Sequence, residues 1–529
     1  MSDPASPALM SGDQYRESLR RLRPRVFVDG QRVESVADEP LLRPGVNAIA
    51  LTYDYALKPE YQPLMTAVQH SSGKRVNRLS HVDTSCEDLL NKLEMVRLLC
   101  QETGCAQRYL THDAVNAIGQ VAARLDDAHG SGEHRARFLA FLHRVQDQDL
   151  TLGVAMTDAK GDRSLRPHQQ ADVDSYVHVV ERNAKGIVIS GAKAIVTGAP
   201  YVHELLVMPC RNMGREDADF AVCCSVPVDA AGLTIVARPA GRPGDKVEHG
   251  EAIFSRKYGQ TTAVCLFDRV FVPWESVFYA GEWEHSGHLT YSYATHHRHT
   301  CIAARAGFGD LLIGAGALMC EANGFDPGRQ GHLREQMVEL IKITEGFYAC
   351  GVAGSVYARP DEHSGSFVPD PVFVNIGKLL LATQIYDMHR LAHDVSGGLI
   401  VSLPGPDEDH NPETAGKLAE VLRANPAVPY AQRIQTARFL EDLTAGYQGG
   451  WYSLISLHGG GSPAALKQEI WRHYPVGSKV ELVERLLDRG LAADPSRPIT
   501  RQRQAGKCCD MGCSAAGQPV MVDLPRPRR

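Results

Sequence analysis

The chain has 529 residues, 43% of them hydrophobic and 22% charged, with a formal net charge of −6 at pH 7. That length allows more than one hydrophobic core, and the acidic balance gives no electrostatic footprint for nucleic acid. No stretch of about 18 consecutive apolar residues occurs, so no membrane span is expected.

The opening Met1-Ser2-Asp3-Pro4 lacks the charged and apolar regions of a signal peptide. The thirteen cysteines are an odd number and show no framework spacing except near the end. They are expected to be reduced thiols in a cytoplasmic protein, most of them acting as small core hydrophobes.

In chain order, residues 1–13 are expected to be disordered, and 15–22 reads as a short helix. Residues 25–33 read as a hairpin around the Asp29-Gly30 turn. Helical patterning dominates from about 47 to 142, where Leu89, Leu93, Val96, Leu99 and Cys100 follow a spacing near 3.6. From 150 to about 278 the period falls to two, and Gly and Pro turns separate short strands, as in a compact barrel or sandwich. Beyond residue 282 the chain is helical again. The stretch 291–320 is rich in small residues, including Ala303, Ala304, Gly307 and Gly309, which permit close helix approach. Helices are also expected at 372–395, 430–446 and 479–488. The order is therefore α–β–α, with domains at 1–149, 150–281 and 282–490. The basic segment 491–529 reads as a disordered tail, with Arg497, Arg501, Arg503 and Lys507 among few apolar residues.

The stretch 150–199 is the most informative. An apolar run ends in the polar turn Thr157-Asp158-Ala159-Lys160-Gly161-Asp162-Arg163. A hairpin follows, turning at Asn183-Ala184-Lys185-Gly186, and its second strand closes with Ala192-Lys193-Ala194-Ile195-Val196-Thr197-Gly198. Such strand ends offer backbone N–H groups and hydroxyls on a fixed frame, which suits a flat heterocycle; an antiparallel barrel with a busy loop would look the same. Two further groups carry chemistry. Cys105-Ala106-Gln107-Arg108-Tyr109, on an expected N-terminal helix, has a candidate partner region in His296-His297-Arg298-His299-Thr300-Cys301 and Arg305. Thiols and imidazoles in such numbers suit either a metal or a polar wall without one. Glycine runs at Gly397-Gly398 and Gly459-Gly460-Gly461 let backbone pass close to a ligand. In the tail, Cys508, Cys509 and Cys513 lie within six residues but lack a fourth ligand, a weak metal signal.

The order Met156-Thr157-Asp158-Ala159-Lys160-Gly161-Asp162-Arg163, hairpin, Gly191 to Ala199 resembles the flavoprotein family of 4-hydroxyphenylacetate 3-monooxygenase and 4-hydroxybutyryl-CoA dehydratase. The resemblance covers roughly residues 15–490 and looks closer to the dehydratase branch. It implies an α+β, acyl-CoA-dehydrogenase-like fold: N-terminal helical domain, middle β-barrel, C-terminal helical bundle. It also implies FAD, or FADH2 supplied by a separate flavin reductase, a small-molecule substrate, and a homo-oligomer (dimer or tetramer) in which the cofactor can be shared. Met156, Thr157, Lys160, Arg163 and Thr197 would line the flavin from the barrel, and Gly397, Gly398, His458 and Gly460 from the last domain. Cys105, His296 and Cys301 would face the substrate. Tyr109, His297, Arg108 and Arg305 would be catalytic, with Arg108 alternatively capping a helix or pairing with Asp113.

In the dehydratase branch three cysteines and one histidine hold a 4Fe-4S cluster. Here Cys105 and His297 match, but Tyr109 and Ala304 stand at the other two positions, so no intact cluster is expected. Thr262 and Ile455 replace two glutamates tied to dehydration. Of the monooxygenase branch's arginine, tyrosine and histidine, only Tyr109 matches. The expected function is thus an FAD-dependent monooxygenase or oxidase acting on a small aromatic or carboxylic substrate. The alternatives are a cluster-free dehydratase or isomerase of an acyl thioester with His297 as base, and a non-catalytic partner subunit.

Overall fold

The computed structural model describes residues 9–241, 250 and 252–487. The tail, with Cys508, Cys509 and Cys513, lies outside the described residues.

Five helices of ten residues or more build the N-terminal region: Gly12–Arg21, Arg43–Leu57, Cys86–Thr103, Tyr109–His129 and Glu133–Asp147. The first begins inside the segment expected to be disordered, because Ser11 and Gln14 form a reciprocal capping box. The Asp29-Gly30 turn joins Arg25–Val28 to Gln31–Arg32, both turn residues having positive φ. This hairpin does not stay with the helices. Arg25–Val28 pairs in parallel with Leu233–Ala237 and so enters the middle sheet.

The middle region is two sheets, and their strand pairing does not close into the expected barrel. The six-stranded sheet runs Gln31–Arg32, Arg25–Val28, Leu233–Ala237, Thr262–Pro273, Gly186–Thr197, His178–Asn183. The four-stranded sheet runs Val277–Ala280, Val222–Pro227, Glu204–Val207, Leu152–Ala155. One apolar core draws on both: Ile187, Ile189, Val196, Ile235 and Cys265 come from the first sheet, and Leu205, Val207 and Val226 from the second.

The C-terminal region is organised on one 37-residue helix, Ser286–Ala322. It packs against Cys86–Thr103, Gly331–Val356 and Pro371–Ser396. Its small residues do what the sequence implies. A Cβ on Gly307 would lie 2.5 Å from the Arg97 carbonyl oxygen, and one on Gly309 would lie 2.5 Å from Thr344 Oγ1. Taken from Trp283, the helix is long and apolar enough to cross a membrane, with mean hydropathy 1.4 over its most apolar window. That window is 61% buried within the protein, so its composition serves core packing. Shorter helices Tyr430–Thr444, Tyr447–His458, Pro463–His473 and Val476–Leu486 close the bundle.

Arg108 joins the helical region to the sheets. Its guanidinium is buried, hydrogen-bonds the Asp149 side chain and carbonyl, and lies 3.6 Å from the centre of the Tyr53 ring. Tyr53 Oη donates to the same Asp149 carbonyl at 2.8 Å. Arg108 therefore supplies no charge to a substrate and does not pair with Asp113; its partner is Asp149, at the entrance to Leu152–Ala155.

Two stability outcomes follow. Gly307→Ala should destabilise by about 1–3 kcal/mol through overpacking, against the roughly 1 kcal/mol gain that helix propensity alone would give. The sign of the shift in thermal unfolding decides between them. Arg108→Met should cost about 3–5 kcal/mol by leaving Asp149 buried and unpaired. A variant of unchanged stability but weakened ligand binding would contradict this placement.

Candidate functional site

Three stretches converge: the loop and first turn at 104–113, one face of the long helix, and the helix Tyr447–His458. On the long helix His297, Cys301 and Arg305 recur every fourth residue and so share a face. Cys301 Sγ lies 3.5 Å from His297 Nε2, and His297 Nδ1 lies 3.1 Å from Asp113 Oδ2. Thr300 Oγ1 donates to the other Asp113 oxygen at 2.6 Å. Cys105 Sγ and Tyr109 Oη are 3.3 Å apart, one turn separating them. The His297 ring stacks on Tyr293, centres 5.4 Å apart, which fixes its plane.

Arg305 Nε donates to Ser456 Oγ at 2.7 Å, and Lys378 Nζ donates to the Ser456 carbonyl at 2.5 Å. Ser456 follows Ile455, the position where a glutamate was expected. Among the described residues neither Arg305 nor Lys378 has a carboxylate partner within ion-pair distance. Both are buried, at 5% and 0% exposure. Gly460 borders this face: a Cβ there would lie 3.3 Å from His297 Cδ2 and 3.6 Å from Lys378 Cε.

The charges settle accordingly. Burial pulls the His297 imidazole down, but the Cys301 sulfur and the Asp113 carboxylate outweigh it and raise the pKa to about 10. Burial pushes the Cys301 thiol up, but the His297 charge and hydrogen bond, with Lys378 and Arg305, bring it below the ordinary value. Burial likewise raises Asp113, and hydrogen bonds from His112 and His297 more than reverse it. Burial lowers Lys378 to about 8. Cys105 and Tyr109 are both raised, chiefly by burial, and stay protonated at neutral pH.

Not every expected residue joins this group. His296 points away; it is fully buried, 3.2 Å from Gln120 Nε2, and burial lowers its pKa to about 3. His458 is exposed at the end of its helix. Gly397 and Gly398, both at positive φ, end the helix Pro371–Ser396. They sit about 28 Å beyond Lys378 along that helix, at roughly 1.5 Å per residue, far from Gly460 in the same chain. Asp113, Thr300, Lys378 and Ser456 were not anticipated as part of the site. Lys378 was detectable only as a charge within the apolar helical pattern at 372–395.

The strand-end residues lie beside the 104–108 loop. Thr197 pairs with Thr262, and a Cβ on Gly198 would lie 3.0 Å from Gln107 Oε1. The preceding loop is pinned by buried Lys193, which donates to the Met156 and Met208 carbonyls and pairs with Asp158 at 2.7 Å. Thr157 accepts from the Ala194 N–H at 2.8 Å. Met156 packs on the core, Lys160 has φ 76° beside Gly161, and Arg163 is exposed. Four buried polar atoms in this junction have no partner: Gln107 Nε2, Gln260 Oε1, Thr261 Oγ1 and Tyr452 Oη. Gln260 bonds the Cys105 carbonyl, and Thr261 N–H donates to Tyr201 Oη, which bonds Gln107. Orphaned side-chain donors and acceptors of this kind fit a polar, planar group such as a flavin edge.

A 4Fe-4S cluster does not fit. Phenolic Tyr109 and buried Ala304 stand at two of the four positions, and Cys301 is a turn away from the second of these. No group of three or more His, Cys, Asp or Glu side chains among the described residues is arranged to hold a metal ion.

Comparison with known proteins agrees with this architecture. Residues 11–279 match the 4-hydroxyphenylacetate 3-hydroxylase N-terminal family, and residues 286–488 match its C-terminal counterpart. The chain is 34% identical over 487 residues to 4-hydroxybutyryl-CoA dehydratase/vinylacetyl-CoA-Δ-isomerase of Clostridium aminobutyricum, covering 90% of this chain and 99% of that one. It is 26% identical to the 4-hydroxyphenylacetate 3-monooxygenase oxygenase component of Thermus thermophilus, covering 88% and 94%. An archaeal 4-hydroxybutyryl-CoA dehydratase from N. maritimus superposes with TM-score 0.86 at 34% identity, over 92% and 96% of the chains. A 4-hydroxyphenylacetate 3-monooxygenase oxygenase component, solved with FAD and 4-hydroxyphenylacetate, shares the fold with TM-score 0.80 at 24% identity, over 91% and 98%. With both segments matched across nearly its whole described length, the chain belongs to the 4-hydroxyphenylacetate 3-hydroxylase family.

Proposed function

We propose that the chain is an FAD-dependent monooxygenase or oxidase that uses reduced flavin and oxygen on a small aromatic or carboxylic substrate. The observation that carries this reading is the pair of buried cations, Arg305 and Lys378, with no carboxylate to balance them among the described residues. A buried positive pair of this kind calls for an anionic ligand, such as a phenolate or a carboxylate.

When bound, the flavin would supply the redox chemistry, delivering electrons to oxygen. The chain's own residues bind and orient. Met156, Thr157, Lys160, Arg163 and Thr197 would hold the cofactor from the sheets, with the orphaned Gln107, Gln260 and Thr261 groups at its polar edge. Arg305 and Lys378 would fix the substrate anion. Tyr109 Oη, protonated and held by Cys105 Sγ, would donate a hydrogen bond to a substrate or oxygen atom. His297, held protonated, acts as an acid and not as the base that the sequence suggested.

A homo-oligomer and a separate flavin reductase belong to the same reading. Gly397-Gly398 lies too far from Gly460 to meet the same flavin within one chain, so contact there would come from another copy. Trp471, Val480, Val483 and Leu486 stand exposed on the last helices, an apolar surface suited to subunit contact.

A second reading has one specific support, the 34% identity to a dehydratase/isomerase over 99% of that protein's length. It makes the chain a cluster-free dehydratase or isomerase of a hydroxyacyl or enoyl thioester. One preparation tests both. Oxygen uptake with phenolic or carboxylic substrates, dependent on FAD and an added flavin reductase, supports the first. Thioester isomerisation without oxygen, with no such uptake, replaces it by the second.

The cation pair gives a pH outcome. Lys378 is charged below about 8 and loses its proton above, so the KM for an anionic substrate should rise as pH passes through about 8. Lys378→Arg should remove that limb, and Arg305→Gln should raise KM at least tenfold at all pH values, on the order of 1.4 kcal/mol of lost anion binding. A KM indifferent to both changes would show that the anion binds elsewhere.

A further inference from the structure

Cys301 stands apart from the sulfur around it. Cys100 and Cys105 are buried at 0% and 1% exposure, whereas Cys301 and His297 are both partly accessible. The sulfur also heads a connected array: Sγ to His297 Nε2 at 3.5 Å, His297 Nδ1 to Asp113 Oδ2 at 3.1 Å, and Asp113 Oδ1 held by Thr300 at 2.6 Å. Every part of it is fixed. Tyr293 stacks on the imidazole, His112 Nδ1 lies 3.8 Å from the Asp113 carboxylate, and the Gly460 loop closes the other side of His297.

We propose that Cys301, His297 and Asp113 form a thiol–imidazole–carboxylate array whose sulfur adds to the β-carbon of a conjugated carbonyl compound bound at this junction. This rests on the junction as the ligand site and not on its redox activity. It concerns a step that neither the monooxygenase nor the thioester reading requires.

The roles follow from what surrounds the sulfur. Asp113 orients His297 and keeps it positively charged, as carboxylates do for catalytic imidazoles. The imidazolium holds Cys301 as thiolate, and Lys378 from the helix Pro371–Ser396 and Arg305 from one turn further along the same face add to the positive field. Cys105 and Tyr109 complete the ring of titratable groups, and both carry their protons. In the step, the sulfur's electron pair forms the S–C bond at the β-carbon. The C=C pair shifts to the α-carbon and the carbonyl oxygen, where Arg305 and Lys378 stabilise the developing negative charge. His297 then gives its Nε2 proton to the α-carbon. Thiolate and imidazolium become thioether and neutral imidazole, so charge balances and no oxidant is consumed. Reversal releases the ligand unchanged.

The test uses the full chain reconstituted with FAD, 2-cyclohexenone as the conjugated carbonyl and iodoacetamide as a general thiol probe, read by peptide mass mapping. Among the described residues Cys210 and Cys350 are the other partly exposed thiols, and they serve as internal controls; burial raises both. At pH 6 Cys301 should be alkylated on the order of tenfold faster than either, the thiolate fraction outweighing its lower intrinsic nucleophilicity. Cyclohexenone should add to Cys301 first. Asp113→Asn should slow both reactions at Cys301 about tenfold and leave Cys210 and Cys350 unchanged. Equal labelling of the three thiols in the unaltered protein overturns the proposal whether or not the Asp113 variant folds, and so does cyclohexenone addition elsewhere with Cys301 untouched. Because neither readout involves oxygen or turnover, a chain inactive as an oxidoreductase could still pass, and an active one could still fail.

Discussion

The Asp113 carboxylate is the contact on which the candidate site depends. It is fully buried, and it joins the helix Tyr109–His129 to the long helix through two bonds, to His297 and to Thr300. A buried carboxylate is costly unless each of its oxygens is satisfied and a positive charge is near. Here both conditions are met by residues three apart on one helix. The same two bonds set the rotation of the long helix against the N-terminal region. That rotation decides that His297, Cys301 and Arg305 face Cys105 and Tyr109, while His296 and His299 face a separate buried polar layer with Gln120 and Ser355.

Electrostatic imbalance gives the site its chemical character. Three positive groups, His297, Lys378 and Arg305, meet one carboxylate and one thiolate. Several cations elsewhere are matched, Arg97 by Asp310 and Glu345, Arg144 by Glu204 and Lys193 by Asp158, whereas buried Arg298, beside Gly460, is held among the described residues only by Asn375 Oδ1 and the Gly460 carbonyl. The mismatch is local, buried, and placed where the strand ends leave hydrogen-bonding atoms unused. A ligand that is anionic at one end and planar and polar at the other matches both halves.

Much of this fold was legible in the sequence because periodicity records burial. The 3.6-residue spacing through Leu89, Leu93, Val96 and Leu99 marks a helix that is buried on that side, and the observed helix Cys86–Thr103 buries all four. The Asp29-Gly30 and Asn183 to Gly186 turns were readable because each position favours a particular backbone geometry. What sequence could not show was long-range pairing. Arg108 carries no mark that its partner is Asp149 and not Asp113, since local spacing favoured neither. Lys378 and Ser456 join the site only through tertiary packing. His296 and His297 look alike in sequence; a rotation of one residue, about 100° on a helix, sends them to different environments.

The parallel pairing of Arg25–Val28 with Leu233–Ala237 has a consequence for how the molecule comes into being. A strand made near the start of synthesis waits for one made some two hundred residues later, and the helices translated between them cannot be finished as an independent unit. Contacts so distant along the chain slow folding and leave unpaired edges exposed meanwhile. Excising the middle sheets alone would remove an interior strand. The N-terminal helices and the two sheets therefore stand or fall together, and a trimmed version would need a replacement for that first ribbon before it could reach its native state.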